Sequence, residues 1–271
     1  MIDLHTHSSC SDGQYTPTEL VRRAKACGIT HLALTDHDTV DGLAEAHTAA
    51  KKEGIRFLCG IEISTDFSHQ HILGLGISPD AQVLQDACAA FAERREQRMY
   101  KILSILAEQG IVLDADAVRS RAKGQVGRPH IARELIAQGY ASSVSEAFQK
   151  YLRLPAIRAL KDEKPSDKDA IALIHAAGGK AILAHPLELS MTNEQLTERL
   201  NILRGMGLDG IEAFYRVNTA EDKAFFCAYA KKYGLLVTGG SDYHGELVKP
   251  DVPLGIPTEP AVIAQKELVW S

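Results

Sequence analysis

Short apolar runs alternate with amphipathic segments along most of the chain, which is the pattern of successive β-strands and α-helices. A Thr16-Pro17-Thr18-Glu19 capping box marks the start of the first predicted helix, and Gly28 marks its end. Because repeated strand–helix units favour a parallel sheet or a closed barrel, the predicted fold class is α/β. Seven runs are predicted as strands: residues 2–5, 30–35, 55–63, 71–77, 180–184, 209–214 and 235–240.

The alternation is interrupted after residue 78. Residues 80–109 are rich in Ala, Glu and Arg and predict one long helix, and shorter helical segments follow to about residue 150. Strand–helix alternation resumes at Pro165-Ser166. The predicted organisation is an α/β barrel formed by residues 1–78 and 165–271, with a helical insertion at 79–164 that would act as a substrate lid.

The connection between the third and fourth strands differs from the others. Only Ser64–Gln70 separate these two strands, whereas a parallel crossover needs a dozen or so residues. We therefore predict an antiparallel hairpin. This hairpin would place His71, at the start of the fourth strand, beside Glu62, near the end of the third.

The composition is that of an ordinary globular protein, with 45% hydrophobic and 24% charged residues. The net charge of -5, from 35 acidic and 30 basic residues, argues against a generally basic nucleic-acid-binding surface. Five isolated cysteines without a C-x-x-C pair favour a reducing compartment. The N-terminus has no signal-peptide pattern, and no run approaches the ~18 apolar residues of a membrane span. A cytoplasmic protein without a membrane or protein partner is predicted.

Histidines and carboxylates stand where the predicted strands end. In an α/β barrel the carboxyl ends of the strands share one rim, where active sites form. Packed together without cations, these groups would leave buried, unpaired charge, whereas imidazole and carboxylate ligands suit manganese, iron or zinc. Because the set exceeds what one ion can bind, two or three divalent ions are predicted, with manganese placed first and iron or zinc as alternatives. The predicted ligands are His5, His7, Asp12, His37, Glu62, His71, His185, Asp242 and His244.

Other polar residues near these positions are given different roles. Asp36 and Asp38 flank His37 and are interpreted as turn residues or as supports for the ligands. Glu212 is left open between a ligand, a support for a ligand and a simple strand terminus. The remaining histidines with a structural interpretation are His31, His47, His69 and His175.

The insertion contains "GRPHIA", residues Gly127–Ala132. Proline at the first helical position would place Arg128 at the N-cap, so that the N–H groups of His130 and Ile131 would point outward. Helix N-termini bind anions, and an arginine adds a bidentate phosphate donor. Beside a metal-binding rim, this motif predicts a second phosphate pocket.

Five motifs along the chain resemble those of the PHP (polymerase and histidinol phosphatase) family: "DLHTHSSCSDG", "LTDHDT", "GIEIS" with "HILG", "LAHP" and "GSDYH". The insertion with "GRPHIARELIAQGY" resembles a narrower bacterial group of PHP phosphoesterases. That group removes the 3′-phosphate from nucleoside 3′,5′-bisphosphates and degrades short RNA from its 5′ end. The resemblance implies a distorted (β/α)7 barrel with a trinuclear metal site.

The resemblance also implies how the ligands are shared among the ions. These are His5, His7, Glu62 and Asp242 for the first ion; Glu62 as a bridge, His71 and His185 for the second; and Asp12, His37 and His244 for the third. Two loops depart from the narrower group, "RLPAIRAL" at residues 153–160 and Arg216-Val217-Asn218. Arg158 or Arg216 is predicted to replace the substrate contacts that these loops would otherwise supply.

The predicted function is a metal-dependent phosphatase that removes the 3′-phosphate of nucleoside 3′,5′-bisphosphates by metal-hydroxide attack. Asp12 and His244 are the predicted catalytic residues beside the leaving oxygen. The predicted substrate contacts are Arg128, His130, Arg158 and Arg216, for a nucleotide or a short single-stranded RNA. Two alternatives share the rim, a 5′→3′ exoribonuclease and a histidinol-phosphate phosphatase. A non-catalytic nucleotide sensor is a third, against which the completely filled motifs argue.

Overall fold

A computed structural model describes residues 1–122, 124–160, 164–257 and 268 of the chain. The predicted insertion at 79–164 and the predicted barrel segment at 165–271 therefore extend in part over residues outside that description.

Each of the seven predicted runs overlaps one strand, and the strands form a single sheet in sequence order. Neighbouring strands are parallel except around β4, which is antiparallel to both β3 and β5. The predicted hairpin is confirmed, because Ser64 pairs with His71 across it. The strands are β1 (Ile2–Asp3), β2 (His31–Leu34), β3 (Arg56–Ser64), β4 (His71–Leu75), β5 (Lys180–Leu183), β6 (Gly210–Tyr215) and β7 (Leu236–Gly240).

The sheet closes almost completely into a barrel, because the chain after β1 lies against β7. The Leu4 amide donates to the Gly239 carbonyl over 3.1 Å. At Gly240 a Cβ atom would lie 2.4 Å from the Cβ of His5, so only glycine permits this approach. The α/β barrel predicted from the sequence is confirmed, and closure brings the first and last strands of the rim together.

The strand β1 is shorter than the predicted 2–5 because side-chain hydrogen bonds replace the ladder after Asp3. The buried carboxylate of Asp3 accepts the backbone N–H groups of His5, Ser241 and Gly255 over 3.3, 2.9 and 2.7 Å. Such local side-chain bonds compete with regular strand pairing. As a result, His5 and His7 lie on an irregular segment at the rim.

The helices begin and end close to the predicted positions in the barrel. The capping box at Thr16 and Glu19 is confirmed, although the first helix ends before Gly28. The helices are α1 (Pro17–Ala26), α2 (Leu43–Glu53), α3 (Gln82–Glu108), α4 (Ala115–Ser120), α5 (Arg128–Ala137), α6 (Val144–Ala147), α7 (Pro155–Arg158), α8 (Asp167–Ala176), α9 (Asn193–Gly205) and α10 (Ala220–Tyr233). A π-helical turn (Phe148–Leu152) and a 3₁₀ turn (Pro186–Leu189) complete the set within the described residues.

The apolar interior is divided between the barrel and the helices of the middle segment. Inside the barrel, Leu58, Leu73 and Ile182 pack in one cluster, while a larger cluster lies between the sheet and the surrounding helices. A separate cluster runs from Met99 to Ile157 and contains residues of the middle segment alone. This separate core supports the predicted insertion, whose exact bounds stay a prediction.

Candidate metal centre and active-site cavity

Nine histidine and carboxylate residues predicted as ligands lie together at one rim of the barrel. They follow the carboxyl ends of β1, β2, β5 and β7 or lie in the β3–β4 hairpin, and each has a short distance to at least one other member. His37 also forms an isolated parallel bridge with Glu62, which fixes the loop after β2 against β3. The hairpin is what brings His71 to this rim, as the short β3–β4 connection predicts.

Glu62 is the centre of this cluster. Its carboxylate is fully buried, and one oxygen, Oε2, lies 3.2 Å from His5 Nε2, 3.1 Å from His7 Nε2 and 3.1 Å from His37 Nδ1. The other oxygen, Oε1, lies 2.8 Å from His71 Nδ1 and 3.0 Å from His185 Nε2. One carboxylate thus touches five imidazoles, which is the arrangement of a bridging ligand between cations.

The side chains of the rim form three overlapping groups of candidate metal ligands, and the ligand atoms of each group lie within 4.8 Å of one another. The groups are His5, His7, Glu62 and Asp242; His7, Asp12, His37 and His244; and His37, Glu62 and His71. The first has the same members as the first predicted ion site, and the second adds His7 to the third predicted site. His185 is outside these groups, although its Nε2 contacts Glu62. The ligand roles themselves stay predictions.

Unpartnered polar atoms show that the cluster fits cations. Several buried atoms face one another without hydrogen-bond geometry and have no hydrogen-bond partner among the described residues. They are His5 Nε2, His7 Nδ1 and Nε2, His37 Nδ1, Glu62 Oε2 and His185 Nδ1. Buried polar atoms are rarely left unpaired. Divalent cations bound by imidazole nitrogen and carboxylate oxygen would satisfy the facing lone pairs.

The charges of the cluster are strongly coupled. Burial would raise the pKa of Glu62, but the charges of His37, His5 and His71 outweigh it and hold this pKa well below its usual range. Burial lowers the pKa of His7, yet the carboxylates Asp242 and Glu62 overcome this effect and raise it to about 9. A proton on His7 therefore balances part of the carboxylate charge, and cations and protons are expected to compete for the cluster.

The loops of the rim are fixed by side-chain hydrogen bonds and by unusual backbone conformations. Asp36 accepts the Ser8 amide and the hydroxyls of Ser8 and Ser11 over 2.6–2.7 Å, which holds the segment between His7 and Asp12. His185 and Asp242 have positive φ angles of 27° and 57°. Such strained non-glycine residues are concentrated at functional sites. The surrounding residues therefore hold the backbone at His185 and Asp242 in a conformation that directs both side chains toward the cluster.

The contacts of Glu212 favour its interpretation as a support for a ligand. Its carboxylate lies 3.1 and 3.3 Å from His5 Nδ1 and accepts the His185 amide over 2.7 Å. An ionised carboxylate only accepts hydrogen bonds, so His5 Nδ1 carries the proton. Loss of the proton on His5 Nε2 would then leave a lone pair toward Glu62 and Asp242, as a metal ligand requires.

Replacing Glu212 by alanine is expected to weaken Mn²⁺ binding by about 10–100-fold, the usual cost of losing a partner that orients a ligand. Glu212→Gln keeps one acceptor oxygen and should lose less. Isothermal titration of each purified variant with Mn²⁺ measures the effect. The exposed Glu198 is the matched control, and equal affinities for Glu198→Ala and Glu212→Ala would refute the orienting role.

A cavity of about 490 Å³ lies between the metal cluster and the helices of the middle segment. Asp12, His37, His71 and His244 form its barrel side. Basic residues on the wall are Arg94, Arg95, Arg98, Arg128, Arg153, Lys164 and Lys249, and apolar residues are Phe91, Met99, Ile102, Val126, Ile131, Val144, Phe148 and Val248. A volume of this size suits a small molecule of nucleotide dimensions.

Two of the basic side chains are held by carboxylates of the rim. The Arg95 guanidinium donates to the Asp38 carboxylate, which links α3 to the loop after β2. The Lys249 ammonium donates to Asp242. Asp38 therefore supports the contact between the rim and α3, in agreement with the supporting role given to it from the sequence.

The four residues predicted to contact the substrate differ in their positions relative to the cavity. Arg128 lines the cavity, with its guanidinium carbon 5.7 Å from the centre of the Phe148 ring. His130 is buried, and its Nδ1 accepts the Gly127 amide over 3.0 Å, so it caps the helix. Burial lowers the pKa of His130 to about 4, which keeps the ring neutral. Arg158 and Arg216 are exposed and are not among the residues of the cavity wall.

The predicted N-cap is wrong by one residue. The helix α5 begins at Arg128 with Gly127 as its N-cap, and Pro129 is the second helical residue. The amides of His130 and Ile131 donate to the Gly127 carbonyl over 3.0 and 3.4 Å, so they are not free to bind an anion. The side chain of His130 instead caps the Gly127 amide at the start of the helix. Within this motif, the side chain of Arg128 is the part that supports the predicted phosphate pocket.

Six basic residues of the cavity wall were not predicted: Arg94, Arg95, Arg98, Arg153, Lys164 and Lys249. Part of this set has a sequence signal. Phe91, Arg95, Arg98 and Ile102 recur at intervals of three and four residues on α3, which places them on one helical face. Arg94 is the neighbour of Arg95 on the same helix, whereas Arg153, Lys164 and Lys249 lie outside the regular helices, where no periodicity indicates them.

Comparison with known proteins identifies the family. Residues 3–181 match the family described as PHP domain. The chain belongs to the PHP domain family. In Haemophilus influenzae, a protein named 5'-3' exoribonuclease is 38% identical over 244 residues, 89% of each chain. In Chromobacterium violaceum, a 3',5'-nucleoside bisphosphate phosphatase is 37% identical over 248 residues, covering 90% of this chain and 87% of the relative.

A solved structure agrees with this assignment. A Bifidobacterium adolescentis protein, assigned as a metal-dependent phosphoesterase, superposes with a TM-score of 0.86 at 31% identity, over 97% of this chain and 93% of that one. The resemblance to the PHP family is therefore confirmed, and this PHP protein is a metal-dependent hydrolase of phosphate esters. None of the helices in the described ranges combines the length and the apolar character needed to cross a membrane.

Proposed function

We propose that this PHP protein removes the 3′-phosphate from nucleoside 3′,5′-bisphosphates. The observation that carries the proposal is the cavity, which has the metal cluster at one side and basic and apolar residues on its remaining wall. A bisphosphorylated nucleoside has matching parts: one phosphate for the cluster, a second for the basic residues, and an apolar base. The relative named 3',5'-nucleoside bisphosphate phosphatase supports this substrate.

The rim residues would bind and orient the phosphate that is removed. Divalent ions held by the nine ligands would supply charge neutralisation of the phosphate and acidify a bound water. Glu62 would contribute to more than one ion site, because each of its oxygens faces a different set of imidazoles. The ordered rim keeps this arrangement in place before the substrate binds, which lowers the reorganisation needed during the reaction.

Asp12 and His244 would act together next to the leaving oxygen. Asp12 Oδ1 lies 3.2 Å from His244 Nε2, and His244 Nδ1 donates to the Asp242 carbonyl over 2.9 Å. Burial, with the positive charges of His7 and Lys249, lowers the pKa of His244. A neutral His244 with its proton on Nδ1 presents its Nε2 lone pair beside Asp12. The pair is therefore suited to hold a cation at the leaving oxygen and less suited to deliver a proton.

The middle segment would bind the rest of the nucleotide. Phe91 and Phe148 line the cavity and offer ring faces for a base. Arg128 lies near the Phe148 ring and can bind a phosphate with two parallel hydrogen bonds. The predicted contacts from Arg158 and Arg216 receive no support from the cavity wall, so the proposal rests on Arg128 among the four predicted residues.

A second candidate function is a 5′→3′ exoribonuclease on short RNA. It is favoured by the Haemophilus influenzae relative, which is named for that activity and matches most of the chain. The same rim could bind a phosphodiester, with the 5′-phosphate against the basic wall. The cavity beside the rim, with a volume of about 490 Å³, favours a mononucleotide over a longer strand.

A hydrolysis panel tests the proposal directly. The Mn²⁺-loaded protein is assayed with adenosine 3′,5′-bisphosphate, AMP, 3′-AMP, histidinol phosphate and 5′-phosphorylated oligoribonucleotides, and the metal-stripped protein is the control. We expect kcat/KM for the bisphosphate to exceed that for 3′-AMP by about 10–150-fold, because each hydrogen bond to a charged group contributes about 1.5–3 kcal/mol. A preference for oligoribonucleotides or histidinol phosphate would contradict the proposal.

Arg128→Ala is expected to lower kcat/KM for the bisphosphate by about 10–100-fold, mainly through KM, because a charged contact to the second phosphate is lost. Hydrolysis of 3′-AMP, which has no second phosphate, should change little. Arg158→Ala is the matched control, since Arg158 is an exposed arginine of the same segment. An equal loss on both substrates would show that Arg128 does not bind the second phosphate.

A further inference from the structure

We infer that Lys249 is a positioning residue that fixes the carboxylate of Asp242, so that one of its two oxygens is available to a cation of the rim. Lys249 is not among the ligands or the substrate contacts predicted from the sequence. The inference rests on the metal-binding role of Asp242 and is independent of the nucleotide proposed above.

The two oxygens of Asp242 have separate surroundings. Oδ1 faces the cluster, at 3.2 Å from His7 Nε2 and 3.7 Å from His5 Nε2. Oδ2 faces away and accepts the Lys249 ammonium and the Tyr215 hydroxyl, the latter over 3.3 Å. Rotation of the carboxylate would break both of these bonds. The contacts therefore select a single orientation, in which Oδ1 alone points at the candidate ion site.

Lys249 is the stronger of the two donors to Oδ2. Tyr215 has one hydroxyl proton, and its closer acceptor is Glu188 Oε1 at 2.8 Å. The ammonium of Lys249 is charged, and charge-assisted hydrogen bonds are about twice as strong as neutral ones. Asp242 is also fixed at its backbone, where its amide donates to the His5 carbonyl over 2.9 Å. Side-chain rotation is thus the freedom that remains, and Lys249 removes it.

The loop after β7 is folded so that it returns Lys249 to Asp242. The Lys249 amide donates to the Gly245 carbonyl over 2.9 Å, and Gly245 has a φ of 94°, which favours glycine. The Val252 amide then donates to the Lys249 carbonyl over 3.1 Å. The lysine side chain is about one-third exposed, at 36%, and lies on the cavity wall. It therefore stands between the metal cluster and the space for the substrate.

Two physical effects of Lys249 have opposite consequences for cation binding. As a positive charge near the ion site, Lys249 repels a cation, so its removal would tighten binding. As the group that orients Asp242, it favours the cation, so its removal would weaken binding. We expect orientation to dominate, because the Lys249 ammonium contacts Oδ2, which faces away from the candidate ion site, whereas Oδ1 faces that site. The sign of the change decides between the two effects.

The test is a titration of the full-length protein with Mn²⁺ alone, followed calorimetrically, for the wild type, Lys249→Met and Lys249→Arg. We expect Lys249→Met to bind Mn²⁺ about 10–100-fold more weakly and to lose kcat by a similar factor on the preferred substrate of the panel, with little change in KM. Lys249→Arg retains a charged donor and should recover most of both losses. Lys231→Met, at an exposed lysine on α10, should behave like the wild type.

Two results would overturn the inference. Unchanged or tighter Mn²⁺ binding by folded Lys249→Met would show that orientation of Asp242 does not depend on the lysine. A rise in KM with unchanged Mn²⁺ affinity would assign Lys249 to direct contact with the substrate. If Lys249→Met does not fold, Lys249→Arg decides, since the inference requires this variant to bind Mn²⁺ like the wild type. The Mn²⁺ titration uses no nucleotide, so its outcome is separate from that of the hydrolysis panel.

Discussion

Replacing Glu62 by glutamine is expected to lower kcat by about a thousandfold or more and to reduce the number of Mn²⁺ ions bound. The carboxylate contacts His5, His7 and His37 through one oxygen and His71 and His185 through the other. Glutamine has the same size but no charge, and whichever way it is turned an NH₂ group faces imidazole nitrogens. Bound ions contribute several kcal/mol to transition-state stabilisation, and about 4 kcal/mol corresponds to a thousandfold change in rate.

The measurement combines metal analysis of the dialysed protein with steady-state kinetics. Glu198→Gln is the control, because Glu198 is an exposed glutamate on α9. Circular dichroism and size-exclusion chromatography verify that the Glu62→Gln protein is folded. A folded variant with full metal content and near wild-type kcat would show that Glu62 does not bridge ion sites in this PHP protein.

The position of Glu62 could be predicted because the rim follows from strand order and connection length. The connection of Ser64–Gln70 is too short for a parallel crossover, so β4 had to run antiparallel and bring His71 to the same end as Glu62. Strand register then decides which side chains face the rim, since alternate residues point to opposite faces. The approximate bounds of the strands and the composition of the candidate metal cluster are accessible from this reasoning alone.

The supporting residues could not be predicted in the same way, because their roles depend on distances between loops. Glu212 lies within β6 and is compatible with three roles from the sequence, and only its contact with His5 Nδ1 favours the supporting role. Lys249 follows His244 by five residues in an irregular loop, where neither periodicity nor spacing indicates the direction of a side chain. The wrong N-cap at Arg128 has a similar cause, since the side chain of His130 caps the preceding amide.

The residues of the cavity wall could be predicted only in part. Its contribution from α3 has a helical period that includes Phe91, Arg95 and Arg98, and this period could have been recognised from the sequence. That these residues face the rim depends on how the middle segment packs on the barrel. The contact between Arg95 and Asp38 is one such interaction, and it joins residues that are 57 positions apart. Packing of this kind is a tertiary property. The residues that determine substrate specificity are therefore harder to predict from the sequence than the residues of the metal cluster.

Arg199→Ala is expected to lower the free energy of unfolding by about 3–5 kcal/mol, because it leaves a buried carboxylate without its counter-charge. Arg199 on α9 is buried and donates to the carboxylate of Asp167, at the start of α8. It also donates to Gln70 Oε1 over 2.8 Å and lies 3.7 Å above the Phe67 ring. For a chain of this length the predicted loss corresponds to a fall in Tm on the order of 10 °C.

The contacts of Arg199 give this prediction a consequence for the active site. Gln70 directly precedes His71, and its amide donates to Asp167, so the same network holds the β3–β4 hairpin. Urea and thermal unfolding of Arg199→Ala are compared with Arg204→Ala, which removes an exposed arginine of the same helix. A double-mutant cycle with Asp167→Asn should give a coupling energy above about 1 kcal/mol. A loss near that of Arg204→Ala would mean that the hairpin is held by its strand pairing alone, and that the position of His71 does not depend on the buried pair.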